Sequence, residues 1–121
     1  VVCQAGISMA GVAAGLNTFD DGLNEALEIW EQRRNILLKE FEGLPVIPPH
    51  GGWSFLMDAE ALGMKSQEMS EYLLREAKIA ITPMNGWGEQ AIRYVRFVFS
   101  NESQERLLGI GKKVKRALGV S

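Results

Sequence analysis

The sequence predicts an α+β fold: a small, three- to four-stranded, mostly antiparallel sheet with helices packed on one face, preceded by an apolar helix. Three observations predict it. Apolar residues recur at helical spacing over residues 23–41, 66–77 and 107–118. Apolar and polar residues alternate over 53–58 and 92–99. Gly- and Pro-bearing turns separate these stretches, with no internal repeat and no low-complexity tract. The chain has 121 residues, the size of one domain.

The elements follow in order. Residues 1–17 form an uncharged segment leading into the domain, in which Ile7, Ala10, Ala14 and Met9, Ala13, Leu16 recur at helical spacing. Gln4, Gly6, Ser8, Gly11 and Gly15 interrupt it. It is too short for a membrane span and lacks the basic leader of a signal peptide. A helix uncharged on all sides is expected to be buried against other protein. Residues 18–121 form the domain itself. Thr18 to Asp21 and Asp21 to Asn24 have the spacing of helix-start residues. Leu23, Leu27, Trp30, Arg34, Leu37 and Phe41 then mark the stripe of a long helix, which Gly43 and Pro45 end. Val46–Ile47 is a short extended piece, and Pro48 to Gly52 is a turn. Trp53, Phe55 and Met57 alternate with Ser54, Leu56 and Asp58 on a strand. Ser66 is the expected cap of a helix carrying Met69, Tyr72, Leu73 and Ala77. A strand over 79–82 stops at Pro83, and a Gly-rich loop runs from Met84 to Gln90. Residues 92–99 form the best strand. Asn101 with Gln104 has capping-box spacing, before a final helix striped by Leu107, Ile110, Val114, Ala117 and Leu118.

Composition excludes several functions. One cysteine permits no internal disulfide. With 13 basic against 15 acidic residues, the net charge is −2 and the pI near 5.4, so the basic face of a nucleic-acid domain is not advertised. The densest basic run, Lys112, Lys113, Lys115 and Arg116, complements the negative end of the last helix. The single His50 lies in a turn, far from Cys3, so no zinc-like spacing appears. Cys3 reads as an inert small residue, and with no targeting signal a cytoplasmic location is expected. No phosphate loop, dinucleotide fingerprint, nucleophile elbow or metal helix is present. Gly109 and Gly111 read as a close-packing site within the last helix.

Arg96 is the informative side chain. On the strand over 92–99, Val95, Phe97 and Phe99 share the core face, and Tyr94, Arg96 and Val98 the other. A guanidinium on a rigid strand suits bidentate capture of a carboxylate. Trp53, Trp87 and Tyr94 are candidates to line the same cleft. Arg93 is the nearby alternative, but it falls on the Val95–Phe97 face.

Four segments carry a family resemblance from about residue 20 onward. They are RRNILLKEFEGLPVIPPHGGWSFLMD, SQEMSEYLLREAKIAITP, MNGWGEQ and IRYVRFVFSNESQERLLGIGKKVKRAL. In this order they resemble the C-terminal small domain of the class I, fold-type I aminotransferases that use pyridoxal phosphate. The opening CQAGISMAGVAAGL is similar to the helical segment before that domain. The resemblance implies that Arg96, in RYVRF, binds the α-carboxylate of the amino-acid substrate. Met84 departs from the glycine usual after the proline, and Trp87 from the usual Phe. The lysine, aspartate and phosphate-binding groups of the family belong to its large domain. The resemblance therefore implies a fragment or isolated domain, inactive alone, with no catalytic or metal-binding residue of its own. Pyridoxal phosphate would be the parent's cofactor and would not be bound by this chain alone. The partners implied are the large domain of the same parent chain, amino-acid and 2-oxo-acid substrates, and a second subunit of a homodimer. No nucleic acid and no membrane are implied.

Two other readings stand beside it. A stand-alone α+β ligand- or RNA-binding module would use Trp53, Trp87 and Tyr94 as stacking platforms, against the acidic pI. A structural or assembly piece would use the uncharged first helix and the outer sheet face as partner surfaces.

Overall fold

The computed structural model describes residues 5–19 and 22–120. Five helices and four strands run in the order α1 (Gly6–Leu16), α2 (Leu23–Glu40), β1 (Val46–Ile47), β2 (Ser54–Asp58), α3 (Ser66–Ala77), β3 (Thr82–Pro83), β4 (Tyr94–Val98), α4 (Gln104–Leu107) and α5 (Ile110–Leu118). Short 3-10 turns lie at Glu60–Leu62 and Glu89–Ala91. The sheet order is β1-β2-β4-β3, with every pair antiparallel. The α+β architecture expected from the alternation of patterns is the one observed.

The core lies on one face of this sheet. Phe55 and Met57 of β2 and Val95 and Phe97 of β4 meet Leu37 and the following Phe41, Met69 and Leu73 of α3, Leu107 of α4 and Val114 of α5. Phe55 and Phe97 stack with centroids 5.3 Å apart, and Phe41 sets its edge on Phe97 at 5.0 Å, geometries the ring quadrupoles favour. Tyr72 Oη donates to the Ala117 carbonyl at 2.8 Å, tying α3 to α5. Arg33 Nη1 donates to the Ser100 carbonyl and so joins α2 to the end of β4.

Boundaries and caps differ from the sequence expectation in instructive ways. The long helix starts after Gly22, whose φ of 72° a glycine adopts without strain; Asn24 is already helical, and Asp20 and Asp21 lie outside the described residues. Its stripe is buried only toward its end: Leu37 is 1% exposed but Leu23 51% and Leu27 48%. Ser66 is not the cap of α3. It is the first helical residue, buried, with Lys65 in the cap position. The cap of α4 is Ser103, not Asn101: Ser103 accepts from the Arg106 N–H. The last helix is broken at Gly109, φ 79°, so that α4 and α5 are separate elements. Gly111 does pack closely: it is buried, and its N–H donates to Glu40 Oε2 at 2.9 Å.

The strands are shorter than their patterns. Trp53 precedes β2, and the strand expected over 79–82 is Thr82–Pro83 alone. Residues 79–81 are held to α3 instead, Ser70 Oγ donating to the Ile81 carbonyl at 2.8 Å. β4 covers 94–98 within the expected 92–99.

The first helix is a larger departure. α1 forms as its periodicity predicts, yet every residue of it is exposed, with Ile7 at 90% and Leu16 at 83%. Burial expected from its lack of charge is not supplied by the described residues. Among the described residues no helix is long and apolar enough to cross a membrane. Cys3 lies outside the described residues.

Candidate functional site

β4 is central in the sheet, bonded to β2 on one side and β3 on the other. Its alternation is clean: Val95 and Phe97 are buried, and Tyr94 and Arg96 half-buried on the opposite face. Arg96 stands opposite Leu56 of β2 and Thr82 of β3. Neither neighbour is acidic. Arg96 Nε is buried with no hydrogen-bond partner, so the terminal Nη edge is what remains for a ligand. The guanidinium lies over the Trp87 ring, 5.0 Å from its centroid. Arg96 also lines an open groove of about 630 Å³, walled by residues 77–82 on one side and by 97–98, 101–102, 105–108 and the start of α5 on the other, Glu102 and Glu105 among them.

Arg93, three residues earlier, has the same unpartnered buried Nε but differs in being paired with acids. It donates to Asp58 and lies 3.7 Å from Glu60. The Arg93 hydrogen bond is the chief cause that holds the Asp58 carboxyl below the usual carboxylate range, partly opposed by desolvation. The same partner raises the Arg93 guanidinium further above its ordinary value. Sequence reasoning separated the two arginines by strand parity but missed this ion cluster. The only available signal was that Asp58 sits at the end of an alternating strand, where pairing with the start of β4 brings Asp58 opposite Tyr94.

The three aromatic candidates are distributed unequally. Trp87 reaches Arg96. Tyr94 shares its face, and the Tyr94 ring carries Arg93 at 5.6 Å. Trp53 lies before β2, its carbonyl accepting from the Phe99 N–H at 3.0 Å. That places it three residues from Leu56, the partner of Arg96, or about 10 Å along the strand. None of the three lines the 630 Å³ groove. His50 is exposed and borders a separate hollow of about 200 Å³ with Trp30, Arg34 and Phe99. Among the described residues no cluster of His, Cys, Asp or Glu could hold a metal ion.

No family model matches the chain. It does match curated relatives. It is 29% identical over 94 residues to aromatic-amino-acid aminotransferase 2 of Thermococcus litoralis, covering 71% of this chain and 24% of that one. It is 30% identical over 98 residues to the aspartate aminotransferase of Pyrococcus abyssi, covering 78% and 25%. The chain thus spans about a quarter of the length of these relatives. Among solved structures, the aromatic aminotransferase of Pyrococcus horikoshii OT3 matches with a TM-score of 0.70 and 26% identity, over 76% of this chain and 25% of that one. A PLP-bound structure from Clostridium difficile 630 shares the fold with a TM-score of 0.77 at 22% identity, over 98% and 31%. Sequence and fold together make this chain a relative of the class I pyridoxal-phosphate-dependent aminotransferases, matched over about a quarter of their length.

Proposed function

We propose that this chain is the substrate-carboxylate-binding part of a longer aminotransferase, which moves an amino group between an amino acid and a 2-oxo acid. Arg96 binds the α-carboxylate. One observation carries this: Arg96 is a half-buried guanidinium, fixed on the central strand, with no acidic side chain paired to it among the described residues. Burying a charge without a partner is costly. Arg93, immediately before the strand, shows how an arginine is neutralised by an acid of the same chain. Arg96 is therefore a cation held ready for an anion that arrives from outside, and its fork matches a carboxylate.

Pyridoxal phosphate is the cofactor of the proposed parent, where it supplies the electron sink for moving the amino group. The described residues of this chain do not fit it. Five of the six lysines are exposed and Lys115 is half-buried on α5, whereas an amine that holds such a cofactor sits in an apolar pocket. The one described aspartate, Asp58, is engaged by Arg93. The cofactor's ligands thus belong to the remainder of the parent, whose large domain is this chain's partner, in a homodimeric protein of the cytoplasm.

In the full-length protein, Arg96→Lys is expected to raise the amino-acid KM about 10- to 100-fold, since a point charge replaces a bidentate fork. Steady-state kinetics checks it. An unchanged KM removes Arg96 from the site.

A further inference from the structure

The loop after β3 is pinned at both ends. Met84 is buried, and its N–H donates to the Tyr94 carbonyl at 3.0 Å, fastening the loop to β4. The Trp87 N–H donates to the Met84 carbonyl at 3.0 Å and closes a turn. Gly88 follows with φ 106° and ψ 162°, a region open to glycine almost alone, and the Ala91 N–H donates to the Gly88 carbonyl at 3.0 Å. Trp87 is thus carried on a fixed turn, although it is 62% exposed and the core does not hold it. Its ring lies against the guanidinium of Arg96. The strand fixes the Arg96 backbone, while its half-buried side chain finds no hydrogen-bond partner at Nε. Leu56 and Thr82, its neighbours across the sheet, offer no acidic group to orient it.

We propose that Trp87 is a positioning residue for Arg96. The indole face covers one side of the guanidinium and aims its terminal Nη edge at an incoming carboxylate, without itself touching that ligand. This rests on the reading of Arg96 as the carboxylate site. The departures at Met84 and Trp87 then act together, one anchoring the loop and the other seating the arginine.

The test is steady-state kinetics on the full-length protein, using whichever of L-aspartate, L-phenylalanine or L-alanine it turns over best. Four variants are compared: Arg96→Lys, Trp87→Ala, Trp87→Phe and the Arg96→Lys/Trp87→Ala double variant. Trp87→Ala is expected to raise KM about three- to tenfold, the scale of a lost cation–π contact, with kcat nearly unchanged. Trp87→Phe retains a ring and is expected to restore most of the difference. The double variant is expected to match Arg96→Lys alone, because Trp87 acts only through the guanidinium. Trp87→Leu keeps the bulk without the π face, so it serves where the alanine variant misfolds, and it is expected to behave as Trp87→Ala. An unchanged KM in Arg96→Lys overturns the underlying site. A raised KM there with a normal KM in Trp87→Ala overturns Trp87 alone. Additive losses in the double variant, or a fall in kcat matching the rise in KM, also overturn the positioning role.

Discussion

Replacing Gly111 by Ala tests the packing that sets α5 against the sheet. Gly111 is the second residue of α5 and is buried against the end of α2. A β-carbon there would overlap the Glu40 carbonyl oxygen and come within 2.6 Å of its carbonyl carbon. These are backbone atoms, so no rotamer change relieves the contact. Carbon pairs rest about 3.5–4.0 Å apart, so the two helices must separate by about 1 Å. Overpacking of this kind costs about 1–3 kcal/mol. Separation also weakens the hydrogen bond from Gly111 N–H to Glu40 Oε2, worth about another 1 kcal/mol. Against this, alanine gains about 1 kcal/mol over glycine in helix propensity. The net loss is about 1–3 kcal/mol, or a Tm lower by roughly 4–12 °C for a domain of this size. Thermal melts, with a urea titration showing a lower midpoint at unchanged slope, measure it. A Gly111→Ala chain that melts at or above the parent temperature would show that the helices do not approach as closely as the structure has them.

Two further outcomes are expected. Asp58 has a depressed carboxyl in the folded chain, caused first by the Arg93 hydrogen bond. Its contribution is present above the ordinary carboxyl pKa of about 4 and is lost as pH falls through the lower folded value; Asp58→Asn should therefore lower Tm near neutrality and narrow the gap to the parent in acid. Parallel Tm-against-pH curves for the two would refute the pairing. Ser103 accepts from the Arg106 N–H at 3.4 Å, a long bond, so Ser103→Ala should cost only about 0.5 kcal/mol while speeding amide exchange at Arg106 and Leu107. Unchanged exchange there would mean the cap does not form in solution.

The parity of strand β4 was fully legible in the sequence. Val95, Phe97 and Phe99 alternate with Tyr94, Arg96 and Val98, and a period of two leaves only one assignment of faces once the phenylalanines go inward. Helix periodicity likewise placed Leu37, Phe41, Met69, Leu73 and Val114 in the core. Caps were less legible. Ser66, Asn101 and Ser103 are all short polar residues before a helical stripe, and tertiary packing, invisible in the local pattern, decides which of them stands in the cap position. The edge strand over 79–82 misled for a related reason: Ile79 and Ile81 serve the core while Ser70 holds the Ile81 carbonyl, so only Thr82 and Pro83 are left to pair. The Gly-bearing loop offered Trp87 as a candidate to reach the side of Arg96, but not the ring contact itself, since the loop owes its course to Met84 and to the positive φ of Gly88.

Arg96 on β4 and Arg93 just before it hold their charges in two different ways. Arg93 sits where the strand begins, beside Asp58 and Glu60, so its charge is answered and its position tolerates solvent. Arg96 sits mid-strand, where the ladder satisfies the backbone on both sides and the nearest side chains across the sheet are an alkyl group and a hydroxyl. An acid at position 56 or 82 would neutralise Arg96 as Asp58 neutralises Arg93. It would also compete with any carboxylate ligand at the same fork, and a ligand would first have to break that pair. Leaving the guanidinium unpaired costs stability but removes the competitor, and stacking it on an uncharged ring fixes its direction while leaving its charge unanswered. The carboxylate site proposed for Arg96 would stand on a rigid element rather than on a loop, which is where geometric precision is easiest to hold.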